Sequence, residues 1–143
     1  MCSLNMRKRT CAREYALQIL YQMDITHENC NVSLDNFWQA LSEERIDEEL
    51  KDFSIGLVKG VADNLEVIDK KISQYATNWQ LERMAVVDRN VMRLSCCELL
   101  FRNDIPPKVS INEAVELAKK YSGLEAGKFV NAILDKIKLE KSK

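Results

Sequence analysis

The sequence predicts an all-α, single-domain fold, and three observations support that prediction. Apolar residues recur at spacings of three and four through nearly the whole chain, which is the period of helices that bury one face. Four glycines and two prolines in 143 residues are too few for the tight turns of a β fold. A chain of this length, 46% hydrophobic and 30% charged, can bury one core and lacks the composition of a disordered protein.

Two helices are predicted in the first third of the chain. Thr10 is expected to cap the first, with Glu14 near the positive end of the helix dipole. Its apolar stripe consists of Ala12, Tyr15, Ala16, Ile19, Leu20 and Met23. A shorter helix over residues 34–41 is expected to follow Ser33 as its cap, and the charged residues 43–49 are expected to form a solvated loop and the next helix start.

One long helix is predicted from residue 48 to residue 75, because a single apolar face continues through all of its turns. Gly56 and Gly60 form a G-x-x-x-G motif within it. Lys59 and Asp63 rule out a membrane helix here, so we interpret the glycines as points where another helix packs closely.

A central helix is predicted over residues 87–101, after a short segment over residues 80–84. It is apolar nearly all round apart from Arg93, Ser95 and Glu98, which is typical of a helix at the centre of a bundle. The Glu98 carboxylate would then be buried, and burying a charge is costly unless a cation pairs with it.

Two further helices are predicted near the C-terminus. The Ile-Pro-Pro-Lys sequence at 105–108 ends the central helix, because proline cannot continue it. Ser110 and Glu113 have the spacing of a capping box that would open the next helix, and the last helix has an apolar stripe over residues 129–137. We expect the core to include Leu20, Phe53, Leu57, Val91, Leu94, Val115 and Ile133.

The charge balance restricts any nucleic-acid site to a small part of the surface. Lysine and arginine number 21 against 22 acidic residues, a formal net charge of -1, so the protein is not coated in basic residues. The helical domain is expected to span residues 9–138, between a flexible basic leader over residues 1–8 and a frayed, Lys-rich tail over residues 139–143.

The cysteines and the absence of long apolar runs predict a cytoplasmic protein that does not associate with membranes. The cysteines are odd in number and form no C-x-x-C motif, which favours a reducing compartment: Cys2, Cys11, Cys30, Cys96 and Cys97. No apolar run approaches the ~18–20 residues of a membrane span, and the N-terminus lacks the apolar region of a signal peptide.

No pattern in the sequence indicates catalysis. The single histidine, His27, lies in a loop-like stretch, and no zinc-protease, nucleophile-elbow or Walker motif occurs. Acidic residues are plentiful, but no spacing selects a catalytic pair. Cys96 and Cys97 lie in an apolar helix and are more typical of core filling than of a reactive thiol. We therefore expect a protein without enzymatic activity, cofactor or metal site.

Positive charge is concentrated at the start of the chain. Four cations precede the first acidic residue: Arg7, Lys8, Arg9 and Arg13. Arg13, Leu17 and Tyr21 are spaced four apart, so they form one column on the flank of the first helix. Arginine contacts phosphates and a tyrosine ring can stack on an unpaired base, which together favour single-stranded RNA. The alternative is a solvated basic leader, with Tyr21 a half-buried residue at the rim of the core.

Three stretches of the chain resemble the NusB family of bacterial transcription antitermination factors. Residues 9–22, RTCAREYALQILYQ, are similar to the family's opening helix, and Trp79 to Leu99 is similar to its central segment. Residues 109–119, VSINEAVELAK, and 128–136, KFVNAILDK, are similar to its two C-terminal helices. The INEA-x-E-L-A and KFVN-x-x-L-D runs are the specific part of this resemblance.

The resemblance implies a fold of about seven helices and a protein that binds boxA RNA together with NusE, a small-subunit ribosomal protein. It also implies a role in the RNA polymerase antitermination complex, which promotes processive transcription of ribosomal RNA operons. It implies no catalysis. The acidic residues expected to face NusE are Glu82 and Asp88. Cys11 stands where many members carry a basic residue, which puts one phosphate contact in doubt. The implied RNA face includes Arg7, Lys8, Arg9, Arg13, Tyr21, Tyr121, Lys128 and Phe129.

Two other functions and two oligomeric states are compatible with such a domain. A NusB-like domain also occurs fused to ribosomal RNA cytosine methyltransferases, but no Gly-rich methyl-donor loop precedes Lys143, so we expect no enzyme here. A helical adaptor that binds only protein would leave the basic leader without a role. An exposed apolar surface could close on a second copy or await NusE, so the sequence leaves a homodimer of the free protein open.

Overall fold

The computed structural model describes residues 7–141, and this part of the chain is all-helical, as the sequence predicts. A short 3₁₀ turn over Leu81–Arg83 precedes the fifth helix. Within residues 7–141, no helix combines the length and apolar character needed to cross a membrane. The seven helices are α1 (Lys8–Thr26), α2 (Cys30–Ala40), α3 (Glu48–Asp63), α4 (Leu65–Tyr75), α5 (Val86–Phe101), α6 (Pro107–Ser122) and α7 (Leu124–Lys141).

Helix α5 is the centre of the bundle, which confirms the prediction for the apolar segment. It packs against α1, α3, α4, α6 and α7, and its residues 90–99 are buried except Arg93. Five of the predicted core residues are buried: Leu20, Leu57, Val91, Leu94 and Ile133. The other two, Phe53 and Val115, are half-buried and pack against the edge of the core.

The predicted single helix over residues 48–75 is wrong, because the chain breaks at Asn64 into α3 and α4. The Asn64 side chain donates a hydrogen bond from Nδ2 to the Gly60 carbonyl at 2.9 Å, which ends α3. Asparagine competes for backbone hydrogen bonds in this way and disfavours helix interiors. Val61 and Ile68 on either side are both buried, so the apolar face continues across the break and conceals it in the sequence.

The first two helices begin earlier than their predicted caps. Lys8 is the first residue of α1, and the Thr10 hydroxyl is not a cap but donates to the Glu113 carboxylate. Asn29 caps α2 by accepting a hydrogen bond from a backbone amide, whereas the predicted cap, Ser33, is buried inside the helix. Of the predicted leader over residues 1–8, residues 1–6 lie outside the described part.

The capping box predicted for α6 is also absent from the structure. Helix α6 begins at Pro107, and Ser110 is a buried residue whose hydroxyl lies 2.9 Å from that of Ser95 on α5. Proline suits the first turn of a helix because its missing N–H would have no partner there. The last helix, α7, is helical through Lys141, whereas the sequence predicts fraying from residue 139.

The close packing proposed for the glycine motif holds at one of its two positions. A Cβ atom added at Gly60 would lie 2.9 Å from the Cys97 Sγ of α5. The nearest atom to the same position at Gly56 is 4.0 Å away. Burial raises the pKa of the Cys97 thiol to about 11 and that of Cys96 to about 12, so both are neutral and fill the core.

Candidate nucleic-acid interface

The cations of the predicted leader lie exposed at the start of α1. The Lys8 Nζ is 3.1 Å from an Asp47 carboxylate oxygen, and the Arg9 Nη2 is 3.4 Å from one of Asp104. Arg7 is exposed beside them. Exposed ion pairs contribute little stability, so these cations can exchange their carboxylate partners for phosphates at small cost.

A phenylalanine ring holds the Arg9 side chain in place. The Arg9 guanidinium lies 4.5 Å from the centre of the Phe53 ring, and that of Arg102 lies 5.0 Å from the same ring. Asp104 accepts hydrogen bonds from both arginines, and the bond from Arg102 holds the pKa of Asp104 at about 2. Arg102 is not among the residues predicted from the sequence, because nothing in the sequence places the end of α5 beside the start of α1.

Arg13 does not belong to this exposed group, so the predicted column on the flank of α1 is wrong. Its side chain is 4% exposed and donates to both Glu98 oxygens at 2.8 Å and to Glu113 at 3.2 Å. Leu17 is buried as well, and only Tyr21 of the column is exposed, at 43%. Helix α1 packs against both α3 and α5, and this packing brings the Arg13 guanidinium to the buried Glu98 carboxylate on α5.

Position 11 does not face solvent in this chain either. Cys11 is buried, so its side chain does not lie on the exposed surface of α1. The role of position 11 is implied by the resemblance alone, whereas the packing of α1 decides which of its positions reach solvent.

Tyr121 projects from the last turn of α6 beside α1. Its hydroxyl donates to Glu14, whose carboxylate also accepts from the Lys120 Nζ at 2.7 Å. Burial alone would raise the pKa of Glu14, but hydrogen bonds from Lys120 and Tyr121 hold it below its usual value. Tyr21 lies seven residues after Glu14, about 20° away around α1. The structure therefore presents Tyr21 and Tyr121 along one side of the first helix.

Lys128 and Phe129 occupy different environments on α7. Lys128 is exposed and its Nζ lies 3.5 Å from Glu125, one turn earlier. Phe129 is half-buried, and its ring packs edge-on against Trp79 with the ring centres 6.4 Å apart. Trp79 is 57% exposed, and sequence reasoning did not select it as a site residue.

Trp79 and Phe129 line a groove of about 600 Å³ that also contains Asp88. Asp88 lies in the first turn of α5, and its Oδ1 is buried without a hydrogen-bond partner among the described residues. Glu82 is exposed on the 3₁₀ turn and lines a second groove that Trp79 also lines. The structure thus brings Asp88, expected to face a protein, together with Phe129, expected to face RNA.

The described part of the chain offers no group of three or more histidine, cysteine, aspartate or glutamate side chains suited to a metal ion. His27 ends α1 in the left-handed conformation, with φ of 60°, and is exposed. The described candidate residues are therefore cations, aromatic rings and carboxylates.

Comparison with known proteins identifies the family. The model of the NusB family matches residues 10–138. The transcription antitermination protein NusB of Anaeromyxobacter dehalogenans is 50% identical over 130 residues, which cover 91% of this chain and 89% of that protein.

Solved structures agree with the family model. T. maritima NusB is similar with a TM-score of 0.83 and 40% identity, over 92% of this chain and 91% of that one. A crystal structure of antitermination factors NusB and NusE in complex with dsRNA has a similar chain, with a TM-score of 0.82 and 31% identity over 94% of this chain and 98% of that one. The chain described here belongs to the NusB family.

Proposed function

We propose that this protein is a cytoplasmic transcription antitermination factor that binds boxA-type single-stranded RNA as a heterodimer with NusE. In this role it joins the RNA polymerase antitermination complex and promotes processive transcription of ribosomal RNA operons. The observation that carries the proposal is the similarity, at 31% identity and over nearly the full length, to a chain in a complex of NusB, NusE and RNA. The proposal includes no catalytic step.

Exposed cations and rings support an RNA surface on this chain. Arg7, Lys8 and Arg9 offer charge for phosphates at the start of α1. Tyr21 and Tyr121 are 43% and 44% exposed, and such rings can stack on unpaired bases. Lys128 and Phe129 extend the proposed surface along α7. Arg13 is left out of it, because its buried guanidinium donates hydrogen bonds to the Glu98 and Glu113 carboxylates.

The groove beside Trp79 supports a protein partner. Asp88 is half-buried in this groove and its negative charge can attract a cationic side chain of NusE, and Glu82 adds a second negative charge nearby. Few phosphate contacts give weak, salt-sensitive binding, so a partner that adds its own basic surface should tighten the RNA complex. Phe129 lies in this groove, where NusE and RNA would meet.

The experiment that tests the proposal is fluorescence anisotropy with labelled RNA, with and without purified NusE. We expect tight binding of a single-stranded boxA RNA only when NusE is present, and weaker binding of a scrambled strand of the same composition. A boxA strand annealed to its complement is the third arm, because the related complex contains dsRNA. Equal affinity for boxA and scrambled strands would contradict sequence selectivity, and tighter binding of the duplex would contradict the preference for single strands.

A further inference from the structure

We propose that Glu14 is a positioning residue of the RNA surface, and that Lys120, which it holds, is a further phosphate-contacting residue. This inference rests on the proposed function, because it names what fixes one part of that surface. Neither Glu14 nor Lys120 belongs to the RNA face that the family resemblance implies.

The Glu14 side chain is only 4% exposed, yet both of its described donors belong to one turn of another helix. Its Oε1 accepts from the Lys120 Nζ at 2.7 Å and from the Tyr121 hydroxyl, while its Oε2 has no partner among the described residues. A buried carboxylate is costly, and this one directs all of its described hydrogen bonds to the last turn of α6. Glu14 therefore ties the end of α6 to α1.

The contact with Glu14 determines what Tyr121 can offer to RNA. Its hydroxyl proton is donated to Glu14, whereas the residue is 44% exposed, so the ring is available for stacking and the proton is not available to donate to a base edge. A ring that is already held in place loses less conformational freedom when a base stacks on it. Tyr121 can therefore stack on a base without donating a hydrogen bond to the edge of that base.

Lys120 is held beside that ring with donors to spare. Its Nζ lies 5.4 Å from the centre of the Tyr121 ring, and its side chain is 49% exposed. An ammonium group has three donors, and Glu14 occupies one of them. A strand that stacks a base on Tyr121 would bring its backbone within reach of this cation.

The positioning role is tested with full-length variants in complex with NusE and a labelled boxA-type RNA, after circular dichroism confirms their helix content. Tyr121→Phe removes only the hydroxyl and is expected to weaken binding about 3- to 10-fold, a fraction of one stacking contact. Glu14→Gln keeps an acceptor for the hydroxyl and is expected to stay within about twofold of the wild type. Glu14→Leu combined with Tyr121→Phe is expected to bind no more weakly than the weaker single variant, because both changes break the same contact.

Lys120 is tested against a matched control in the preceding position. Lys119 also lies in the last turns of α6, but its Nζ is directed to Glu116, at 3.6 Å. Lys120→Gln is expected to flatten the dependence of log K on log salt by about 0.7, and Lys119→Gln to leave it unchanged. Equal slopes for the two variants, or losses from Glu14→Leu and Tyr121→Phe that multiply, would overturn the inference.

A measurement without RNA separates this inference from the proposed function. By NMR, the Tyr121 hydroxyl proton should be protected from exchange in the wild type and in Glu14→Gln, and unprotected in Glu14→Leu. An unprotected proton in the wild type overturns the positioning role, whether or not RNA binds. A protected proton in a protein that binds no RNA with NusE would instead overturn the proposed function and the role of Lys120, and leave the Glu14 contact in place.

Discussion

Arg13 on α1 and Glu98 on α5 form a buried ion pair with two hydrogen bonds of 2.8 Å each. Arg13 is 3% exposed and Glu98 is 1% exposed, so neither charge is solvated by bulk water. Glu113 on α6 accepts a further bond from Arg13 and one from Thr10. The guanidinium therefore joins three helices at the centre of the bundle.

Removing the cation of this pair should destabilise the fold. Arg13→Met leaves the Glu98 charge buried without its main partner, and we expect a loss of about 3–5 kcal/mol in the free energy of unfolding, measured by urea denaturation. The double variant Arg13→Met with Glu98→Leu should recover most of that loss, since no charge is then left unpaired. A loss below about 1 kcal/mol in Arg13→Met would show that the pair does not hold the helices together.

The ion pair of Arg13 and Glu98 shows which part of a buried contact can be predicted from the sequence. The apolar surroundings of Glu98 predict a buried carboxylate paired with a cation, and the structure confirms both the burial and the pairing. The partner lies 85 residues away in the chain. Helical periodicity reports which face of a segment is apolar, and it does not report which helices become neighbours. The spacing of Arg13 therefore predicts an exposed residue that contacts RNA, and only the fold shows that it is buried.

The two glycines of α3 provide a matched test of helix packing. In Gly60→Ala the new methyl group would lie 2.9 Å from the Cys97 Sγ, and we expect overpacking to cost about 1–3 kcal/mol in thermal or urea unfolding. Gly56→Ala meets no atom closer than 4.0 Å, and should stabilise the helix by about 0.5–1 kcal/mol. Adding Cys97→Ala to Gly60→Ala should relieve the clash. Equal effects of the two glycine substitutions would contradict the close approach of α3 and α5.

Stability should depend on pH through Asp24. This carboxylate accepts hydrogen bonds from Arg89 at 2.7 and 2.8 Å, from Asn90 at 2.9 Å and from Arg93 at 3.0 Å. Burial alone would raise its pKa, but the bonds from Arg89 and Asn90 hold the pKa below the ordinary 3.8. Because the folded pKa is lower than the unfolded one, the contribution is complete above pH 3.8 and is lost as pH falls through the folded pKa.

The measurement for Asp24 compares urea unfolding of the wild type and Asp24→Asn between about pH 6 and pH 2. The wild type should lose stability more steeply below the ordinary aspartate range, and the two curves should converge at the acid end. Parallel curves across the whole interval would contradict the assigned role of Asp24.

Salt dependence should distinguish the exposed cations at the start of α1 from an exposed cation elsewhere on the protein. Lys8→Ala and Arg9→Ala should each flatten the slope of log K against log salt by about 0.7 for single-stranded RNA, since each removes one phosphate contact. Lys70→Ala, an exposed cation on α4 outside the proposed surface, is the control and should leave the slope unchanged. Identical slopes for all three variants would exclude the start of α1 from the RNA surface.

The groove beside Trp79 also shows that the sequence does not reveal which distant residues become neighbours. The resemblance supplied Asp88 and Phe129 as members of two different surfaces, and the fold places both in one groove with Trp79. Trp79 comes from the segment before α5 and Phe129 from α7, so their contact depends on tertiary packing alone. The identities of these residues could be read from the sequence, and their shared location could not.

The most direct test of the account is whether RNA and NusE bind this protein cooperatively. Titration calorimetry would measure the affinity of the protein for purified NusE, with and without a saturating boxA RNA. If both partners meet at the groove beside the RNA surface, RNA should raise the affinity for NusE, within the usual range of about 5- to 150-fold, and NusE should raise the affinity for RNA by the same factor. The same affinity for NusE in both titrations, or no binding of NusE at all, would contradict the account.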